Sequence, residues 1–192
     1  MLDAGIGAAV LTPEAKVKTI YGGKSLDVGV VDGRGYLLLD VSIKTFNFKD
    51  RDTGNYRHNY TGRFYELLGE ELDLRRSYRW ATLVAIIFLP ADSVDDSSPS
   101  SFAHAVRQYS KIISHDQNEP YGFEQVYIAV HDVKGSIYFF DASEAPPRTG
   151  HPPVEMRFDT NTVVEHMRKA VNQRAARAST SPMPVCKPFR FL

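Results

Sequence analysis

The chain has 192 residues, 43% hydrophobic and 24% charged, with 23 Lys+Arg balanced by 23 Asp+Glu. A chain of this length makes one domain, or one domain and a tail, and can bury about 70% of its unfolded surface without staples. The mix excludes wholesale disorder and a fibrous repeat, and zero net charge argues against coating nucleic acid by bulk charge while leaving room for a local basic surface.

Met1 to Val10 reads as the end of a helix. Ala15 to Tyr21 alternates apolar and polar residues, which predicts a half-buried strand, and Gly22-Gly23 is its turn signal. Leu26 to Val31 is a second strand, closed by an Asp32-Gly33 hairpin turn. Tyr36 to Phe48 is a long third strand, apolar enough to be central, and a polar loop follows from Lys49 to Tyr60. Thr61 to Tyr78 is the clearest helix, with Phe64, Leu67, Leu68 and Leu72 as its apolar stripe and Glu66, Glu70 and Asp73 on another face. Ala81 to Leu89 is continuously apolar, a strand covered on both faces and stopped by Pro90.

After a polar loop, Ser100 or Ser101 can cap a helix from Phe102 to about Ile113. Gln125 to His131 and Ser136 to Phe140 are strands joined at Val133-Lys134-Gly135, and Ala145 to Pro153 is too rich in proline for regular structure. Asn161 can cap a last helix over Thr162 to Ala176. The expected architecture is α/β, a mixed central β-sheet flanked by helices, in a single domain over residues 1–176. Residues 177–192 form a proline-containing basic tail. Beyond Glu165 the chain carries Arg168, Lys169, Arg174, Arg177, Lys187 and Arg190 but no acid, a pattern of a solvated end or a phosphate-contacting arm.

Several chemistries are excluded. Cys186 is alone, so no internal disulfide or thiolate metal cluster can form. The longest apolar run, Trp80 to Leu89, is too short for a membrane helix of roughly 20 residues. No basic segment followed by an apolar one marks a signal peptide, so the cytoplasm is the default location and no membrane partner is expected. The six histidines lack zinc-site spacing, Gly22-Gly23-Lys24-Ser25 holds only the tail of a phosphate loop, and no G-x-S-x-G elbow occurs.

What remains is a row on the third strand. Asp40, Ser42 and Lys44 lie two apart, so their side chains share one face. Asp27, on the second strand, would join them if the two strands are antiparallel neighbours. Carboxylates, a hydroxyl, the Ile43 carbonyl and a lysine suit a divalent cation and a phosphate, since Mg²⁺ or Mn²⁺ takes oxygen ligands and keeps several waters. Each residue also has a plainer use: Asp27 as a strand-edge aspartate, Lys44 and Asp40 in structural ion pairs, Ser42 as a small residue in a tight place. The loop that follows interleaves Asn47, Lys49, Arg57 and His58 with aromatics and leads to Arg63, a composition that suits phosphate and base contacts as well as a solvated surface.

This order of elements, with Asp27 on the second core strand and Lys44 on the third, resembles the core of the PD-(D/E)XK nuclease superfamily over about Ala15 to Ile113. The resemblance implies a restriction-endonuclease-like fold, a hydrolase acting as a metal-dependent endodeoxyribonuclease, DNA as partner and Mg²⁺ or Mn²⁺ as cofactor. Asp27 and Asp40 would hold the metal, and Lys44 would act on the phosphate or the attacking water. The family pattern has an acid two residues before the lysine, and here that position is Ser42. Asp40 is the nearest upstream acid on that face, about 7 Å further along the strand than Ser42 by the rise per residue. The family also relocates an acid to the following helix, which makes Glu66 or Glu70 a substitute. The alternative is a catalytically inactive nuclease-fold module for binding or assembly, of the kind found in phage-defence and toxin–immunity systems. A homodimer is compatible with either.

Overall fold

A computed structural model describes residues 10–114 and 121–180. In chain order the elements are β1 (Val10–Pro13), β2 (Lys16–Thr19), β3 (Gly22–Ser25), β4 (Val28–Val31), β5 (Leu37–Thr45), α1 (Tyr60–Ser77), β6 (Thr82–Pro90), α2 (Ser101–Tyr109), β7 (Gln125–His131), β8 (Ile137–Asp141) and α3 (Thr160–Thr180). Six strands make one sheet in the order β1-β4-β5-β6-β7-β8. β4 is antiparallel to both β1 and β5, β5 to β7 are parallel, and β8 returns antiparallel. The fold is therefore α/β with a mixed central sheet, as the sequence predicts.

The continuous apolar run of β6 is explained by its two covered faces. Leu83, Ala85, Ile87 and Leu89 join the core with α1 and α2, while Val84 and Ile86 join the core with α3. On β5 the same alternation turns Leu39, Val41 and Ile43 toward α3. Asp40, Ser42 and Lys44 consequently face α1, inside a mostly apolar layer.

The opening strands depart from the sequence reading. The helix end expected over Met1 to Val10 lies outside the described residues except for Val10, which belongs to a strand. The first predicted strand, Ala15 to Tyr21, contains β2; β1 precedes it, and the two together make one arm of a long bent hairpin whose other arm is β3 and β4. β1 pairs with β4 and β2 with β3, and the two ladders are linked by the Glu14 N–H to the Asp27 carbonyl at 3.1 Å and the Leu26 N–H to the Ala15 carbonyl at 2.8 Å. The bend sits where Glu14 takes a left-handed φ of 52°. It folds the outer half of the hairpin over α1, where the Tyr78 hydroxyl donates to the Lys18 carbonyl at 2.8 Å. Thr19 pairs with Gly22, so the turn is at Ile20-Tyr21, and the two glycines open β3. β4 starts at Val28, which leaves Asp27 at the bend, outside the strand.

The helices follow their predicted spans with instructive exceptions. Leu67 and Leu74 of α1 are fully buried, each worth roughly 1.5–3 kcal/mol of apolar burial. Leu72, expected in the stripe, is 43% exposed, and the inward line runs instead through Leu67, Glu71, Leu74 and Arg75. Ser100 caps α2, its hydroxyl accepting the Ala103 N–H at 3.1 Å. α3 is capped by Asp159, whose carboxylate accepts the Thr162 N–H at 2.7 Å, and not by Asn161. α3 also runs to Thr180, past the expected end at Ala176, and the tail's prolines and Cys186 lie outside the described residues.

Candidate active site on strand β5

The row on β5 is buried under α1. Asp40 is 1% exposed, Ser42 3% and Lys44 9%. A buried lysine needs a partner, and Lys44 has one: its Nζ lies 3.0 Å from Glu70 Oε1 on α1. The Ser42 hydroxyl donates to Asp40 Oδ2 at 3.0 Å. Burial pushes the Asp40 carboxyl up to about 7. The Ser42 hydrogen bond and the Lys24 charge oppose that rise, while the charges of Glu70 and Asp27 add to it. Asp40, Glu70, Asp27, Lys24 and Lys44 thus form one electrostatic cluster in which carboxylates outnumber lysines.

Asp27 reaches the cluster from the bend of the hairpin. β4 pairs with β5 only as far as Val28↔Val41, so the Ile43 N–H has no strand neighbour. Asp27 Oδ2 accepts that N–H at 2.7 Å, a carboxylate doing the work of a missing backbone carbonyl. Lys24, absent from the sequence-derived candidates, comes from β3, where it pairs across the hairpin with buried Val17. Cross-strand partners share a face, so Lys24 points inward with Val17. Only the fold of the bent hairpin over α1 brings it here.

The other candidates divide. Of the two helix acids, Glu70 belongs to the cluster, whereas Glu66 is exposed and pairs with Arg63 at 2.7 Å. Around the β5–α1 loop, Asn47 is exposed, Lys49 pairs with Asp92 at 2.6 Å, and His58 sits 3.7 Å from Asp50 as an exposed pair. The loop itself is tied down. The Tyr56 N–H donates to Ser101 Oγ at 2.9 Å, and the Tyr56 hydroxyl donates to Asp92 at 2.8 Å. Arg57 is half-buried, with Nη1 2.8 Å from His104 Nε2 on α2. Lys49, Arg57 and Arg63 therefore lie at the carboxyl ends of the parallel strands, the side of an open α/β sheet where ligands commonly bind.

A second buried polar cluster went unread in the sequence. At the opposite ends of β6 and β7, Glu124 accepts the Leu83 N–H at 2.6 Å and bonds Arg75 at 2.6 Å and Arg174 Nε at 2.6 Å. Arg75 also donates to the carbonyls of Ala81 and Gly122, and Glu71 accepts the Gly122 N–H at 2.9 Å.

No group of three His, Cys, Asp or Glu among the described residues converges as a ligand set for a metal ion. Among them, too, no helix is long and apolar enough to cross a membrane. Comparison with protein-family models, with curated proteins and with solved structures finds no match for this chain.

Proposed function

We propose that this domain binds DNA and hydrolyses a phosphodiester with the help of a divalent cation, on a restriction-endonuclease-like core of the PD-(D/E)XK kind. The observation that carries the reading is the buried Asp40–Ser42–Lys44 row, with Asp27 and Glu70 converging on it from two other elements. A site short of positive charge in a partly dry place suits a cation. Mg²⁺ or Mn²⁺ needs only one or two protein carboxylates when water fills the rest of its shell, and Asp27 and Asp40 are the two that would supply them. When bound, such a cation lowers the pKa of a water and offsets charge on the phosphate. Lys44 would place its ammonium against developing charge, held in position by Glu70. Lys49, Arg57 and Arg63 would contact phosphates along the strand, with Asn47 and His58 on the same rim.

The Asp40 carboxyl, titrating at about 7, must give up its proton to take a cation. Mn²⁺ binding followed by electron paramagnetic resonance should tighten between pH 6 and pH 8, and Asp27→Ala should abolish it. The decisive assay offers supercoiled, linear and single-stranded DNA with and without Mg²⁺ or Mn²⁺. Wild type should cleave only with metal, and Lys44→Ala should lose cleavage while keeping DNA binding. Cleavage retained in Lys44→Ala would show that the site lies elsewhere.

A second reading is a catalytically inactive module of the same fold that binds DNA or a partner. It is favoured by Ser42 in the place of an acid, and by Asp27 and Lys44 already being engaged by Ile43 and Glu70. DNA binding without metal-dependent cleavage of any substrate form would select it.

A further inference from the structure

On the rim above β5, Arg57 meets His104 of α2, and the charge of Arg107, one turn further along that helix, also reaches His104. Arg57 is fixed from both sides. Its own N–H donates to Asn55 Oδ1 at 3.0 Å, and the preceding Tyr56 is buried and bonded through its N–H and hydroxyl. A guanidinium has five N–H donors and no acceptor, and here one of the five is used, toward His104 Nε2 at 2.8 Å. Because the guanidinium can only donate, Nε2 accepts, the imidazole is neutral, and its proton lies on Nδ1. Burial and the charges of Arg57 and Arg107 pull the His104 pKa down, consistent with that state.

Arg107 lies three residues after His104, on the same face of α2, and is exposed. It has no ion-pair partner among the described residues. The acid whose charge reaches His104, Asp96, is already engaged: it accepts the N–H and hydroxyl of Ser101, the Tyr56 N–H and the Ser97 hydroxyl. Arg57, held in place, and exposed Arg107 thus flank a neutral imidazole, and neither guanidinium has an ion-pair partner among the described residues. That arrangement asks for an anion with several acceptor oxygens.

We infer that Arg57, His104 and Arg107 form a phosphate-binding site, filled by a backbone phosphate of a bound polynucleotide. The occupant rests on the nuclease reading; the anion chemistry does not. The position suits a strand that also crosses the β5 cluster. The ring of Tyr109, two residues past Arg107, is centred 6.1 Å from that of Tyr60, which meets Phe46, two residues past Lys44, edge to face at 4.5 Å. One aromatic layer separates the two sites at the same end of the sheet. Arg57 and Arg107 serve as phosphate forks and would not read sequence, since backbone contacts carry none.

The test has two arms. In the first, inorganic phosphate is titrated while the His104 ring resonances are followed by NMR. They should shift saturably in wild type, and the shift should be lost in Arg107→Gln, an exposed change that leaves the core untouched. In the second, binding of a 20-base-pair duplex is measured against salt. Arg107→Gln should weaken binding by about 3–10-fold whatever the sequence, and reduce the slope of log affinity on log salt by about 1. Both results together support the assignment. Phosphate binding with no DNA binding in wild type keeps the anion site, assigns it to a free phosphate compound and sinks the nuclease reading. DNA binding with an unchanged salt slope, and no phosphate effect on His104, overturns the assignment and leaves the nuclease reading standing.

Discussion

The molecule holds two ionic clusters at opposite ends of the same sheet, one buried and one reaching from buried Asp40 and Lys44 to exposed Asp27, and they differ in how their charges are compensated. At the start of β6 and β7, Glu71 and Glu124 face Arg75 and Arg174, two against two, with backbone carbonyls and N–H groups taking up further bonds. Toward the end of β5, Asp27, Asp40 and Glu70 face Lys24 and Lys44, and the deepest carboxyl, Asp40, titrates near neutrality. The first cluster is closed in charge, two acids against two guanidiniums of this chain, although Arg75 Nε and Arg174 Nη1 are buried without a hydrogen-bond partner, and it ties α1 and α3 to the start of the sheet. The second is open, lacking a positive charge. Buried charge that the chain itself neutralises is architecture. Buried charge left short is where a ligand's charge is wanted, because desolvation makes the deficit expensive.

The contrast can be broken first at Glu124. Glu124→Ala strands two buried guanidiniums, and urea unfolding should show a loss of about 3–5 kcal/mol. A loss below 1 kcal/mol would mean that the closed cluster is hydrated and the comparison false. Next is Asp40. An aspartate in an unfolded chain titrates near 4, whereas Asp40 in the fold titrates at about 7. Between those pH values the native state holds the extra proton, so stability should fall as pH rises from about 4 to about 7. Asp40→Asn should flatten that slope and stabilise the protein at pH 8 by on the order of 2–4 kcal/mol, read as the difference between urea curves at pH 5 and pH 8. A parallel pH dependence in the variant would remove Asp40 as its source. Lys44→Met should cost only about 1 kcal/mol, since Glu70 is partly exposed and can be hydrated when its partner goes. Smallest of all, Glu66→Gln breaks an exposed pair with Arg63 and should shift stability by less than about 0.5 kcal/mol.

The two clusters were also unequally legible. The β5 row could be read because a strand's period of two puts Asp40, Ser42 and Lys44 on one face whatever the strand's neighbours are. The central strands were legible for a similar reason: β6 and β7 are apolar on both faces and say so locally. The closed cluster was hidden because Glu71 and Arg75 occupy inward helix positions that a search for apolar residues passes over, leaving exposed Leu72 to be mistaken for part of the stripe. Arg174 and Glu124 are brought together from residues fifty apart, a pairing that no local pattern encodes. Lys24 was invisible for a different reason. Its approach depends on the bend at Glu14, which takes a left-handed φ without the glycine that usually announces one.

That bend also bears on how the sheet ends. It ends β1 at Pro13 on one margin, the rest of the hairpin having turned away over α1. At the other margin, Phe139 of β8 exchanges both backbone bonds with Phe158, at 2.9 and 2.8 Å, so its outward N–H and carbonyl are already taken. A sheet with a clipped margin on one side and a plugged one on the other is a poor template for a foreign strand. Stacking of copies by sheet continuation, the usual route from exposed strands to insoluble fibrils, finds little purchase along these margins.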